Sequence, residues 1–413
     1  MKRIPFSALV VLACFVGSDL RFFAQTSTSA PQAPSATHPV STNQTGQPQQ
    51  KADAKPADAA PPADDPEEQI PVLKLEFKPA GDVPGVSGSF AFTSPVVCST
   101  DGVPYVSFMD SKSFGSQSVT SLDLKGGHVF STQQIQGLYG IQNIHGILAS
   151  DSMVGMLVNA TKDPSNPQTV NIGKGLPPLT TYPGKHQDYL AEFSLDGNFT
   201  RVVELEVPEW WHVWRVATLP DGSLLAATYD RINARPHLVI LDSGGDRKRE
   251  LQIPAVMDEN PVFSGGTSSD PAQQVNAESS MTYWKFGLAR NKVLLYQVRS
   301  NMPILEVGAG GASREVAIDH PKGYTIDSVL PSNDRWLIRF RKDGLSETGG
   351  SSTDPKTKNF VLYEVDPADG HLRRQIEMAV GMFYSASCEK DGTITAFSVD
   401  QEKVKLLSAD LGR

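Results

Sequence analysis

The sequence predicts an all-β chain folded as a six-bladed β-propeller, and three observations carry that reading. Hairpin-type turns recur at Asp101-Gly102, Asp151-Ser152, Asp221-Gly222, Asn291-Lys292, Asn333-Asp334 and Asp391-Gly392, each between two apolar runs. A second turn series keeps the same phase: Lys125 to Gly127, Asp196-Gly197, Asp242 to Gly245, Gly308 to Gly311, Asp366 to Gly370 and Asp410 to Gly412. A strand-like segment without a partner of its own, Val72 to Lys78, precedes the first copy.

The chain opens with Lys2 and Arg3 ahead of a short apolar run, as in a secretory signal over residues 1–24 with cleavage after Ala24. Val11-Leu12-Ala13-Cys14 offers a second reading, a lipobox with Cys14 as the lipid anchor. Either way the expectation is export, to the periplasm or beyond the cell, with no transmembrane segment in the mature chain. Residues 25–69 are Ala, Pro, Thr, Ser, Gln and Asp with almost no large apolar side chain, a composition that reads as a disordered linker. Of the net charge of −9, the leader holds +2 and the linker −4, which leaves −7 on residues 70–413. An acidic domain argues against a nucleic-acid partner.

In each copy an apolar run follows the first turn: VPYVSF, MVGMLV, SLLAAT, KVLLYQV, RWLIRF and TITAFSV. Alternation with β-branched and aromatic residues favours strand over helix. The clearest copy is Trp214 to Ile253, with four strand-like runs. The sixth copy reaches Arg413 after its third strand, so Val72 to Lys78 is expected to complete the last blade and close the ring. With turns such as LPDGSLL and EKDGTIT, the region from about Ile70 to Arg413 resembles NHL-type six-bladed propellers, a class that extends to gluconolactonase-like and strictosidine-synthase-like enzymes. That resemblance implies architecture and leaves activity open.

The long insertions are Thr161 to His186, Lys342 to Lys358 and Pro254 to Ser279, with a shorter aromatic link from Pro208 to Trp214. All fall in the loop classes that share one face of a propeller, which marks that face for binding. Six positions before each first-series turn stand Pro95, His145, Arg215, Lys285, Asp327 and Ser385. The residues just before them, Ser94, Ile144, Trp214, Trp284, Ile326 and Tyr384, are mostly large and apolar. Alternation turns the two columns opposite ways, one wedged between blades and the other toward the channel mouth. His145, Arg215 and Lys285 then form a cationic arc, with Asp327 and Ser385 completing the ring and Trp210 and Trp211 flanking it. Such an arc suits a carboxylate, with Trp faces for a sugar ring or peptide side chain. The alternative is a solvated polar lining in which Asp327 pairs with Lys285 or Arg215.

Gluconolactonase-like propellers hold a divalent cation in the channel on carboxylate and amide oxygens. Arg215 and Lys285 oppose such a cation, so neither metal nor cofactor is expected; the residues that could supply ligands to one are His145 with Asp327, and Asn143, His186 and His212 from loops. Familiar catalytic motifs are absent: no Gly-x-Ser-x-Gly, His-Glu-x-x-His, Cys-x-x-Cys or phosphate-binding glycine loop. Cys98 and Cys388 each stand three residues before a turn, in copies that become neighbours on closure. An exported chain invites a disulfide there, while parallel side chains on adjacent inner strands argue against one. The reading is a monomeric, exported, non-catalytic binding module for an anionic saccharide or peptide, or for an envelope protein. The alternative is a channel-mouth enzyme of lactonase, hydrolase or polysaccharide-lyase type, with His145 as base and Arg215 stabilising a carboxylate.

Overall fold

The computed structural model describes residues 70–87, 91–92, 96–109, 117–141, 143–170, 179–253, 280–289, 291–332, 334–343, 359–378, 386–399 and 403–412. The leader, the linker, Cys14, Pro95, Ser385, the insertion 254–279 and most of 342–358 lie outside them. No helix among the described residues is long and apolar enough to cross a membrane.

Each predicted copy is one antiparallel sheet, and the six sheets form a six-bladed β-propeller. In blade one, Ala91–Phe92 and Val97–Cys98 both pair with Pro104–Met109, followed by Gln117–Ser121 and Val129–Ser131. Blade two is Ile144–Ala149, Met153–Ala160, Gln187–Ser194 and Phe199–Glu204. Blade three is Trp211–Thr218, Leu224–Asp230, Arg235–Leu241 and Arg247–Leu251. Blade four is Trp284–Ala289, Lys292–Gln297, Ile304–Val307 and Ser313–Val316. Blade five holds Tyr324–Pro331, Trp336–Lys342, Phe360–Val365 and Leu372–Glu377, and blade six begins with Ala386–Lys390, Thr393–Val399 and Lys403–Asp410.

The N-terminal closure is displaced from its expected position. Val72–Lys74 adds to blade five as a parallel fifth strand, with Leu73 opposite Ile376. The strand that completes blade six is Lys78–Ser87, antiparallel to Lys403–Asp410. Its sequence, KPAGDVPGVS, carries two prolines and two glycines, which argue against a strand unless it is an edge. Here it is the outer edge, and register shifts between Pro79 and Gly81 and between Asp82 and Ser87 accommodate them. Leu75 is buried with Leu73 and Phe77 beside it where blades five and six meet, and Val83 and Val86 are buried at the next junction.

Packing explains why the blades need one another. A four-stranded sheet has two apolar faces, and among the described residues six core clusters fall one to each junction. Tyr105 and Phe130 meet Ile147 and Met156 between blades one and two. Leu190 meets Val216 at the second junction, Tyr229 meets Leu295 at the third, and Tyr296 meets Ile338 at the fourth. Leu337 meets Ile394 at the fifth, and Val404 meets Val106 at the sixth. Backbone bonds also cross the junctions at the second turn series: Glu206 N donates to Gly245 O and Asp319 N to Gly370 O, both in turns of the next blade. At the closing junction Gly127 N donates to Pro84 O, so Lys78–Ser87 is engaged just as a native outer strand is.

Cys98 and Cys388 form a disulfide across that junction, with Cα atoms 5.6 Å apart. The bridge is open to them because the inner strand of blade six has a register shift between Ala386 and Cys388, and a bulge re-aims the side chains beside it. Replacing both cysteines by Ala is expected to lower stability by about 2–4 kcal/mol in urea unfolding, with reductant having that effect on wild type and none on the variant. Gly222 and Gly370 form a second test. Both have positive φ, but a Cβ at Gly222 meets open space and one at Gly370 would lie 1.8 Å from Ala317 O. Gly222→Ala should cost about 1–2 kcal/mol in the same assay and Gly370→Ala clearly more.

Candidate functional site

The inner strands of blades two to five begin on the face that carries the blade-to-blade links and the second-to-third-strand loops. This follows from strand order, since the first strand runs away from that face and the second returns to it. The insertion between the second and third strands of blade two starts from that face, and its described residues include a small hairpin, Gln168–Val170 with Leu179–Thr181. The apolar column is wedged into the junctions as expected: Ile144, Trp214, Trp284 and Ile326 are all buried. Their neighbours in the polar column are half-buried instead, as alternation requires.

Bulges set the aim of these polar residues. The inner-strand register shifts at His145 in blade two, at Trp214 in blade three and at Asp327 in blade five, while blade four pairs through Lys285 without a break. Arg215 Nη1 donates to the carbonyls of Trp214, at 2.7 Å, and of His145, at 3.2 Å. The guanidinium therefore ties blade three to blade two and sits beside the His145 backbone. Asp327 is held by Arg339 of the second strand of its own blade, 2.6 Å from Nε, and both side chains are mostly buried. The sequence offered Lys285 or Arg215 as its partner. Arg339 takes that place because the bulge at Asp327 sets it beside the Arg339 pairing position.

Lys285 is thereby left with no hydrogen bond or ion pair among the described residues. Burial and the neighbouring Arg215 charge lower its pKa to about 7, against a partial opposing effect of Asp327. Tyr296, directly opposite Lys285 in the ladder, is pushed up to about 12, chiefly by burial, and remains a neutral phenol.

A second polar group adjoins this one. Asp188, on the third strand of blade two, reaches across to blade three: its carboxylate accepts from Val213 N at 2.7 Å, is 2.8 Å from His212 Nδ1, and accepts from Asn159 Nδ2 at 2.9 Å. Burial alone pushes the Asp188 carboxyl up, but the bonds from His212, Asn159 and Val213 outweigh it and hold the carboxyl below its ordinary range. The His145 and His212 rings meet edge to face, centroids 5.2 Å apart. The sequence points to His145 and His212 but not to Asp188 and Asn159, which lie on the third and second strands of blade two, away from the aligned column.

The tryptophans divide. Trp210 is exposed. Trp211 stacks on His237 at 3.8 Å with Arg247 over its ring, so it lies against the third and fourth strands of blade three and does not flank the arc. Its position three residues before the bulge at Trp214 keeps it out of the inner column. His186 bonds the carbonyl of Tyr182 inside the insertion and Asn143 is exposed, so neither joins the cluster.

No protein-family model matches the chain, and no curated protein does. Among solved structures it is similar to a member of the DUF4221 family from Bacteroides vulgatus, at 7% identity and a TM-score of 0.43, over 81% of this chain and 98% of that one. It is also similar to a protein of unknown function from Bacteroides caccae, at 11% identity and a TM-score of 0.33, over 73% of this chain and 82% of the other. A third likeness is to puromycin hydrolase, at 13% identity and a TM-score of 0.37, over 75% of this chain and 41% of that one. None of these likenesses assigns a role to a residue of the site.

Lys285 carries a stability cost whose pH dependence has a definite sign. Below about pH 7 the amine is protonated in both folded and unfolded chains, and the full penalty of the enclosed charge is present. Above pH 7 the folded chain sheds that proton while the unfolded chain keeps it up to about 10.4, so the penalty fades over that window. Lys285→Met is therefore expected to raise the melting temperature most at pH 6.5 and hardly at all near pH 10, which melts across a pH series will show.

Proposed function

We propose that this chain is an exported propeller of the NHL type that binds an anionic group at its channel mouth without turning it over, the anionic group being a carboxylate of a saccharide or peptide. The observation that carries this reading is the division of charge: Asp327 is matched by Arg339, and Lys285 faces Arg215 with no acceptor of its own among the described residues. Two like charges held together in a partly enclosed site repel, and an anion between them relieves the repulsion while keeping Lys285 protonated. Arg215 supplies a planar donor set already oriented by two carbonyls, and Lys285 a point charge. Exposed Trp210 on the adjoining link offers an apolar surface at the rim.

The alternative, a channel-mouth lyase or hydrolase, has one specific observation in its favour. A buried carboxylate orienting an imidazole, as Asp188 does His212, is the arrangement of a general base. Release of product from lactones or uronate polymers would move the assignment to that reading.

The test is calorimetric titration of the full chain with oligogalacturonate and with the matching neutral oligosaccharide. Binding of the acidic sugar is expected, with a loss of about 100-fold or more in the Arg215→Ala/Lys285→Ala variant, in keeping with two charge-assisted bonds of about 1.5–3 kcal/mol each. Affinity should fall as pH rises through and somewhat above 7, because a bound anion raises the Lys285 pKa, and Lys285→Arg should flatten that profile. Equal affinity for the neutral sugar, or an unchanged double variant, overturns the proposal.

A further inference from the structure

The geometry points to a zinc-type metal site formed by His145, Asp188 and His212, at the junction of blades two and three. One ligand atom from each of these residues lies within 4.8 Å of the other two. Three side chains of this set, two imidazoles and a carboxylate, are the donors that zinc and its neighbours in the first transition row prefer. On a tetrahedral ion with bonds of about 2.0–2.1 Å, ligand atoms stand about 3.4 Å apart and imidazole centroids about 5 Å apart. The two rings here have centroids 5.2 Å apart. His212 Nδ1 and Asp188 Oδ2, 2.8 Å apart, would open by about 0.6 Å as the ion takes the place of the proton between them.

The site is built rather than incidental. Asp188 and His212 are both buried, at 5% and 6% exposure, so neither is a solvated surface group. Val213 N and Asn159 Nδ2 continue to hold the carboxylate when Nδ1 turns to the metal, supplying the outer bonds that orient a ligating carboxylate. His212 is further fixed by an edge contact to Trp214, ring centroids 5.3 Å apart. His145 comes from the inner strand of blade two, at a bulge, and is half-buried, so the third ligand is supplied from the first strand of the blade. Arg215 lies close, and its Nη1 donates to the carbonyls of His145 and Trp214. It reduces affinity for a cation without entering the ligand set. The proposal stands independently of anion binding by Lys285 and Arg215.

The experiment is equilibrium dialysis of the chelator-stripped full chain against zinc chloride, with bound metal measured by mass spectrometry, and the absorption spectrum of the cobalt(II) form. About one zinc per chain is expected, held at micromolar concentration or below, with the intense visible bands of four-coordinate cobalt on nitrogen and oxygen. His145→Gln, which changes only the half-buried ligand, should lose about 100-fold in affinity, and Asp188→Asn about 10- to 100-fold. Thermal melts without metal establish that each variant is folded. If Asp188→Asn fails to fold, the His145→Gln affinity and the wild-type cobalt spectrum decide. The site is overturned if wild type binds no zinc, if His145→Gln binds it as wild type does, or if cobalt gives only the weak spectrum of the aqueous ion.

Discussion

The structure depends on closing the ring between blades six and one. Every blade buries its two apolar faces only against neighbours, so an open ring would expose two sheet faces and two strand edges at once. Closure uses a strand from one end of the described domain and three from the other. Val83 and Val86 pack with Val404, Leu406, Val106 and Leu122, and the disulfide joins residues 290 positions apart. Loop-closure entropy grows only logarithmically with separation, which makes so distant a pairing affordable once a few apolar side chains are buried by it. The strand Val72–Lys74 strengthens the arrangement from a different direction: pinned to blade five, it delivers the chain to the edge of blade six and limits how far the closing strand can stray.

A closed ring brings together residues that no single blade could assemble. His145, Arg215, Lys285 and Asp327 come from four consecutive blades at equivalent positions, and their environments diverge because the inner strands bulge at different residues. In blade five the bulge hands Asp327 to Arg339; in blade four the unbroken ladder leaves Lys285 facing its neighbours' charge. A folding optimum would place an apolar residue or a paired ion at position 285. Retaining an ammonium that lowers stability over ordinary pH is a local departure from consistency, and such departures concentrate where a protein does work.

How much of this was legible in the sequence varies with the physical scale involved. Turn chemistry and two-residue alternation are local, so the six blades, the wedge residues Ile144, Trp214, Trp284 and Ile326, and the facing polar column could all be read directly. The closing strand could not: KPAGDVPGVS looks like a loop, and only the freedom of an outer edge lets prolines and glycines serve there, whereas VLKLEFK has the better strand pattern and pairs elsewhere. The Asp327–Arg339 pair was hidden because it depends on where a bulge falls. Asp188 was hidden for another reason: an alignment of first strands cannot show a side chain that reaches in from a third strand of the preceding blade. Trp211 misled because the stretch WWHVW looks uniform, while the bulge at Trp214 sends its members to different neighbours.

The two inferred sites are linked in sign. Arg215 stands between them, bonded to the His145 carbonyl on one side and close enough to Lys285 on the other to lower its pKa. A divalent ion at His145, Asp188 and His212 would add positive charge beside an arc that is already cationic, so an anion that reached both would gain from the ion as well as from Arg215 and Lys285. Thermodynamic reciprocity then requires the converse, that the anion tighten the hold on the metal by the same factor. The repulsion between Arg215 and a bound cation weakens the metal site when it stands alone, and an anionic ligand that neutralises Arg215 relieves it, which is the source of their cooperation.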